Sequence, residues 1–125
     1  MEQEDPQDPE TWQWTSADKL LLELIEEVHK RGMRIILDGV FNHTGTDFWA
    51  FRDLEEHQQE SPYKDWYAVK SFRKPDNGTD FDYNGWWGVK SLPELKEVNG
   101  TLVQPVREHI FDITRRWMDP DGDGD

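Results

Sequence analysis

The sequence contains no cysteine, which excludes disulfides, thiol nucleophiles and zinc–cysteine centres while leaving the cellular compartment open. Positive charge is also short: 14 basic residues stand against 27 acidic ones, for a formal net charge of -13. A surface so biased repels phosphate backbones and anionic headgroups, so neither nucleic acid nor a membrane is an expected partner. No apolar run approaches the roughly 20 residues that span a bilayer. The opening stretch MEQEDPQDPE is acidic, where a secretory signal would be basic and then apolar. Apolar residues supply only 34% of the chain, a thin stock for several buried segments. Neutral ligands and divalent cations stay compatible with this balance, since carboxylates are hard oxygen donors.

Aromatic residues, by contrast, are abundant. Seven tryptophans in 125 residues separate this chain from aromatic-poor acidic disorder, and an ordered structure of about one domain's length is expected. Pro6 and Pro9 mark residues 1–14 as an extended surface segment. Thr15 and Asp18 then have capping-box spacing, and Leu20, Leu21, Leu24, Ile25 and Val28 recur at helical intervals as far as Gly32, which predicts a helix over about 16–31. Met33 to Phe41 follows at once. Its continuous Ile35-Ile36-Leu37 core predicts a strand buried on both faces, half of an α/β unit that needs parallel neighbours. A short helical candidate spans Asp47–Glu56, and Val103, Val106, Ile110, Phe111, Ile113 and Trp117 predict a second amphipathic helix over roughly 103–118, with Trp117 in the core. The intervening 44–102 far exceeds an ordinary strand-to-helix loop of about 2–6 residues, and connections that long are usually functional.

The stretch ILDGVFNHTG concentrates the chemistry. In a strand, Asp38 would sit among apolar neighbours, where a carboxylate must be paired or hydrogen-bonded. It reads equally as a structural ion pair or as a site residue. Asn42 and His43 would lie at the carboxyl end, the ligand-binding face of parallel α/β folds. Trp86 and Trp87, between Gly85 and Gly88, are candidates for a cleft wall, because the C–H faces of a sugar stack on flat rings; Trp49 and Trp66 read as packing. Asp119, Asp121, Asp123 and Gly124 fit the first half of an EF-hand-type loop, or simply an acidic loop before a strand.

Asp38-Gly39-Val40-Phe41-Asn42-His43 resembles the D-x-V-x-N-H motif on the third barrel strand of the α-amylase family, glycoside hydrolase family 13. Trp86-Trp87-Gly88 and Ser91-Leu92-Pro93-Glu94-Leu95 resemble that family's B domain and the L-P-x-L motif near its end; Ile110–Asp125 is similar to the approach to the fourth strand in neopullulanase- and cyclomaltodextrinase-like members. The resemblance implies a partial (β/α)8 barrel with the second helix and third strand in residues 1–43, a B-domain-like insertion over 44–102, and the third helix with its acidic loop over 103–125. It further implies retaining hydrolysis or transglycosylation of α-1,4-linked, starch-derived or cyclic maltodextrins, with an α-glucan as partner and no organic cofactor. His43 would hydrogen-bond the sugar where the bond breaks, Asp38 would orient strand-end groups, and Asn42 matches a residue that binds calcium in many amylases.

Two departures follow from the same comparison. The family's nucleophile, acid/base and third carboxylate lie on later strands, so this polypeptide is expected to be a piece that is inactive without the rest of the barrel. Lys96 stands where related sequences often carry Asp or Asn after L-P-x-L, and an ammonium cannot ligate a metal, which counts against calcium at Asn42. The competing class is a stand-alone calcium- or carbohydrate-binding module without catalysis.

Overall fold

Thr15 caps the first helix as its spacing predicts. Its hydroxyl oxygen accepts from the Asp18 amide at 3.1 Å, and the Asp18 carboxylate accepts from the Thr15 amide at 2.8 Å, satisfying two of the helix's unpaired donors. Helix α1 then runs Ser16–Lys30 in the computed structural model, which describes residues 4–122 and Gly124. It ends at Gly32, whose φ of 71° suits glycine. There the Gly32 amide donates to His29 O at 2.9 Å and the Met33 amide to Val28 O at 3.2 Å, the paired bonds of a Schellman stop. Glu27 braces the last turn, with its carboxylate 2.8 Å from Arg31 and 3.0 Å from Lys30. Before α1, the expected extended segment contains one short turn of 3-10 helix, Pro9–Thr11, capped by Asp8.

The structure resolves into two units, Met1–Gly39 and Val40–Asp125. In the first, α1 buries none of its residues, and Leu20 and Leu24 on its apolar stripe remain exposed. The run 33–41 corrects the sequence expectation of a doubly buried strand: it forms no strand, and Ile36 is 93% exposed. Asp38 is likewise exposed rather than set among apolar neighbours. The reason is that a parallel strand exists only through ladder bonds to its neighbours, and among the described residues nothing pairs with this run.

The second unit is built on aromatic packing. Helix α2, Trp49–His57, supplies Ala50, Phe51 and Leu54 to a core completed by Trp66, Tyr67, Leu95 and Val106. It starts two residues later than Asp47 and has no side-chain cap at Phe48, so packing rather than capping holds its start. Its far end is tied by Ser61, which is buried, donates to Asp53 at 2.6 Å and accepts from the Tyr63 amide at 3.1 Å.

Strands β1, Val69–Ser71, and β2, Asp82–Tyr83, pair antiparallel with a bulge; β3, Glu97–Val98, and β4, Thr101–Leu102, form a hairpin. Its turn uses Asn99 at φ 53° and Gly100 at φ 74°, the Asn-Gly combination that positive φ at both positions favours. Helix α3, Gln104–Met118, begins with a proline in its first turn and buries Val106. Its His109 packs among the rings of Phe48, Trp49 and Trp66, at 6.1, 5.4 and 5.7 Å between centroids. Trp117 is half-buried and outside the core cluster, contrary to expectation; the apolar α3 residues that reach that cluster are Val106 and Ile110, in its first half.

Candidate functional site

The two motifs that sequence places far apart are hydrogen-bonded to each other. The Leu95 amide donates to Asn42 O at 3.0 Å and the Thr44 amide to Pro93 O at 3.1 Å, with His43 opposite Glu94 in an antiparallel bridge. The same segment also serves its other neighbours: Trp86 N donates to Leu92 O, Glu94 N to Asn84 O and Ala68 N to Glu94 O. Pro93 is fully buried here, and its missing N–H is tolerated because it meets Gly85 in an isolated bridge rather than in a continuous ladder.

This frame presents a file of stacked rings. The His43 imidazole lies 4.9 Å from the Trp86 indole at an interplanar angle of 12°, and Trp86 lies 4.7 Å from Trp87 at 22°. His43 Nδ1 is 2.7 Å from Asn42 Oδ1. A carbonyl oxygen only accepts, so Nδ1 donates and Nε2 is the nitrogen left to meet a ligand. Behind His43, the Thr44 hydroxyl donates to Gly45 O at 3.0 Å and its oxygen accepts from the Tyr67 hydroxyl at 2.9 Å. Burial pushes the Tyr67 phenol well above its ordinary range, so it remains a neutral donor.

The tryptophan loop is held tightly. A Cβ on Gly85 would lie 2.0 Å from Val89 O, a close approach only glycine permits. Lys90 donates to the Asp82 carboxylate and to Tyr83 O, while the Tyr83 hydroxyl donates to Lys90 O at 2.8 Å. The Lys90 hydrogen bond holds the Asp82 carboxyl below its usual range. Nothing in the sequence pattern singles out Tyr67, Asp82 or Lys90, because their partners are distant in the chain or lie in a loop with no periodicity.

Of the residues singled out from sequence, the structure thus brings together Asn42, His43, Trp86 and Trp87. Asp38 belongs to the first unit. Asp119 and Asp121 lie at the end of α3, and Asp123 falls outside the described residues. Among the described residues no group of three His, Cys, Asp or Glu is placed to hold a metal ion. Asn42 Oδ1 accepts one hydrogen bond from His43, and Asn42 joins no cluster of metal-holding carboxylates or imidazoles among the described residues. Lys96 directs its ammonium to Asp65 at 3.8 Å. Asp119 fits better: one carboxylate oxygen accepts from the Gly124 amide at 3.0 Å, and the other is buried without a hydrogen-bond partner.

The arrangement, a half-buried imidazole backed by a file of flat rings, suits an uncharged ring-shaped ligand. Comparison with known sequences identifies the frame: the profile of the family described as Alpha amylase, catalytic domain, matches residues 14–124. The chain belongs to the α-amylase family. Membership implies the (β/α)8-barrel fold and weighs against a stand-alone binding module. The chain is 39% identical to neopullulanase 2 of Thermoactinomyces vulgaris, over 81% of this chain and 17% of that protein. It is 35% identical to an amylopullulanase of Thermoanaerobacter thermohydrosulfuricus, over 91% of this chain and 9% of that protein. Among solved structures, cyclic α-maltosyl-(1→6)-maltose hydrolase from Arthrobacter globiformis, in complex with cyclic α-maltosyl-(1→6)-maltose, superposes with a TM-score of 0.69. The two are 33% identical, over 82% of this chain and 22% of that one. The chain therefore spans less than a fifth of the curated relatives named here. Among the described residues, no helix is long and apolar enough to cross a membrane.

Proposed function

We propose that this chain supplies the supporting side of an α-glucan-cleaving site within an α-amylase-family catalytic domain. In this reading α1 is the second barrel helix, 33–41 the segment that becomes the third strand once neighbouring strands pair with it, 44–102 the B-domain-like insertion and α3 the third helix. The uncovered stripe of α1 and the exposed Ile36, Leu37, Val40 and Phe41 support it, being the surfaces that neighbouring barrel strands and helices would cover. The complete protein hydrolyses or transglycosylates α-1,4-glucosidic bonds of starch-derived or cyclic maltodextrins with retention, by a carboxylate pair that other parts of the protein contribute. The 125-residue polypeptide by itself releases no sugar.

Asn42 fixes the imidazole tautomer, and Trp86 fixes the ring plane. His43 Nε2 then accepts from a sugar hydroxyl at the unit whose bond breaks. Asp38 orients groups at the strand end. Calcium, where bound, is assigned to the acidic end of α3 rather than to Asn42, on the strength of the unpartnered Asp119 oxygen; it would neutralise the carboxylates there.

The observation that carries the reading is the hydrogen-bonded pairing of residues 42–44 with 93–95, topped by the His43–Trp86 stack. His43→Ala in the full-length protein tests it. Loss of one preorganised transition-state hydrogen bond lowers kcat about 10²-fold with a smaller change in KM. Unchanged kcat on maltodextrin would refute the assignment.

A further inference from the structure

Trp87 combines three properties that folding does not explain. It is 85% exposed. Its backbone sits at φ 53°, ψ 27°, the left-handed region that a bulky aromatic residue avoids. Its one ring partner among the described residues is Trp86. Exposure and strain are both liabilities, and such strain persists only where the surroundings over-determine it. Here they do. The Gly85 amide region closes against Val89, Gly88 N donates to Gly85 O at 2.8 Å, Val89 N donates to Trp86 O at 3.0 Å, and Lys90 locks the loop's base to Asp82 and Tyr83. The loop is built to hold this indole out.

Trp86 and Trp87 therefore have different tasks. Trp86 is half-buried and stands between His43 and Trp87 in the stacked file, so it serves as a buttress. Trp87, at the solvent end of the file, is one ring layer further from His43. A pyranose stacked on its indole, through C–H contacts with the electron-rich face, is consequently a different unit from the one His43 touches.

We propose that Trp87 is a stacking platform for a glucosyl unit remote from the bond that breaks, and that it sets the enzyme's preference for α-glucan chain length. The proposal rests on the α-glucan reading above, and it assigns Trp87 to substrate length rather than to the chemical step.

The test compares wild type, Trp87→Ala and Trp87→Gly in the full-length protein on maltotriose through maltoheptaose. For Trp87→Ala, kcat/KM stays within about twofold on the shortest oligosaccharides that wild type cleaves. It falls about tenfold, through KM, once the chain is long enough to reach the platform. Trp87→Gly loses the same binding yet melts no lower than wild type, because glycine adopts this φ without strain. Three results would overturn the proposal: no loss at any length, an equal loss at every length, or a markedly lower melting temperature for Trp87→Gly. Failure of the α-glucan reading is separately visible: wild type then cleaves none of these oligosaccharides, and the inference falls with it.

Discussion

Substituting Gly85 by alanine is the sharpest test of the tryptophan loop, because two physical arguments predict opposite signs. Gly85 has φ -104° and ψ 145°, a conformation any residue adopts. On backbone grounds alone, Gly→Ala there would stabilise the protein by about 0.4–1 kcal/mol by restricting the unfolded chain. Packing acts in the opposite direction. The new methyl would lie 2.0 Å from Val89 O, 2.5 Å from Val89 C and 3.1 Å from Lys90 N, all backbone atoms. No side-chain rotation relieves that contact, so residues 85–89 must part by roughly an ångström or more, given ordinary contact near 3.5 Å. Overpacking of this kind costs about 1–3 kcal/mol. Loss of the Gly88 N to Gly85 O and Trp86 N to Leu92 O bonds adds about 0.5–1.5 kcal/mol each. The net expectation is destabilisation by about 1–6 kcal/mol. In the full-length protein it is read as a melting temperature lower by several degrees, with acrylamide quenching of tryptophan emission increased as the Trp86–Trp87 stack opens. A Gly85→Ala protein as stable as wild type, or more so, would show that the close approach does not exist.

The remaining predictions concern titration and metal. Burial among Phe48, Trp49 and Trp66 lowers the pKa of His109, outweighing the opposing charge of Asp112. The unfolded chain therefore takes up its proton first: the stability from His109 is fully present above its unfolded pKa near 6.5 and is lost as pH falls from there through the folded value. His109→Gln should flatten melting temperature against pH between 7.5 and 5 relative to wild type, and a parallel curve for the two proteins would refute the assignment. Calcium should raise the melting temperature of wild type and leave Asp119→Asn unmoved, since the substitution removes an anionic oxygen with no other partner. Equal shifts in the two proteins would place the cation elsewhere.

Where local rules govern, the sequence was readable. Thr15 and Asp18 declare the start of α1 and Gly32 its end, because capping and left-handed stops depend on neighbours a few residues away. Helix α3 follows from 3.6-residue periodicity, and the His43 region from the density of polar side chains after an apolar run. The Asn99-Gly100 hairpin is not among the elements expected from the sequence, although its turn pair advertises it, because flanking strands of two residues leave no alternation to detect. Sequence says less where structure depends on distant partners. Residues 33–41 have the composition of a buried strand, yet composition supplies no ladder. Asn42 matches a calcium ligand by position, while position alone does not give its hydrogen bond to the imidazole beside it. Trp87 differs from Trp86 only in how the loop closes, which no pattern of residue types encodes.

That closure also explains why a motif as plain as L-P-x-L sits beside the candidate site. The backbone of Leu92, Pro93, Glu94 and Leu95 joins segments that are remote in sequence: 42–44 carrying His43, 67–68 behind it, and 84–86 leading into the tryptophans. Closing the loop between residues 44 and 93 costs chain entropy, but that cost grows only with the logarithm of length, about 0.6 kcal/mol per doubling. Burial of Phe51, Leu54 and Tyr67 within the same loop supplies several times that, at about 1.5–3 kcal/mol for each large side chain. The closure cost itself is therefore nearly insensitive to the insertion's length, whereas the short central segment is fixed by its pairings. The prediction for substitutions is correspondingly uneven. Substitutions at Leu92 and Glu94 that keep the segment extended leave the His43–Trp86 register intact, while Pro93 and Leu95 are also constrained by burial; one inserted residue there shifts the pairing with 42–44 and turns each following side chain to the opposite face.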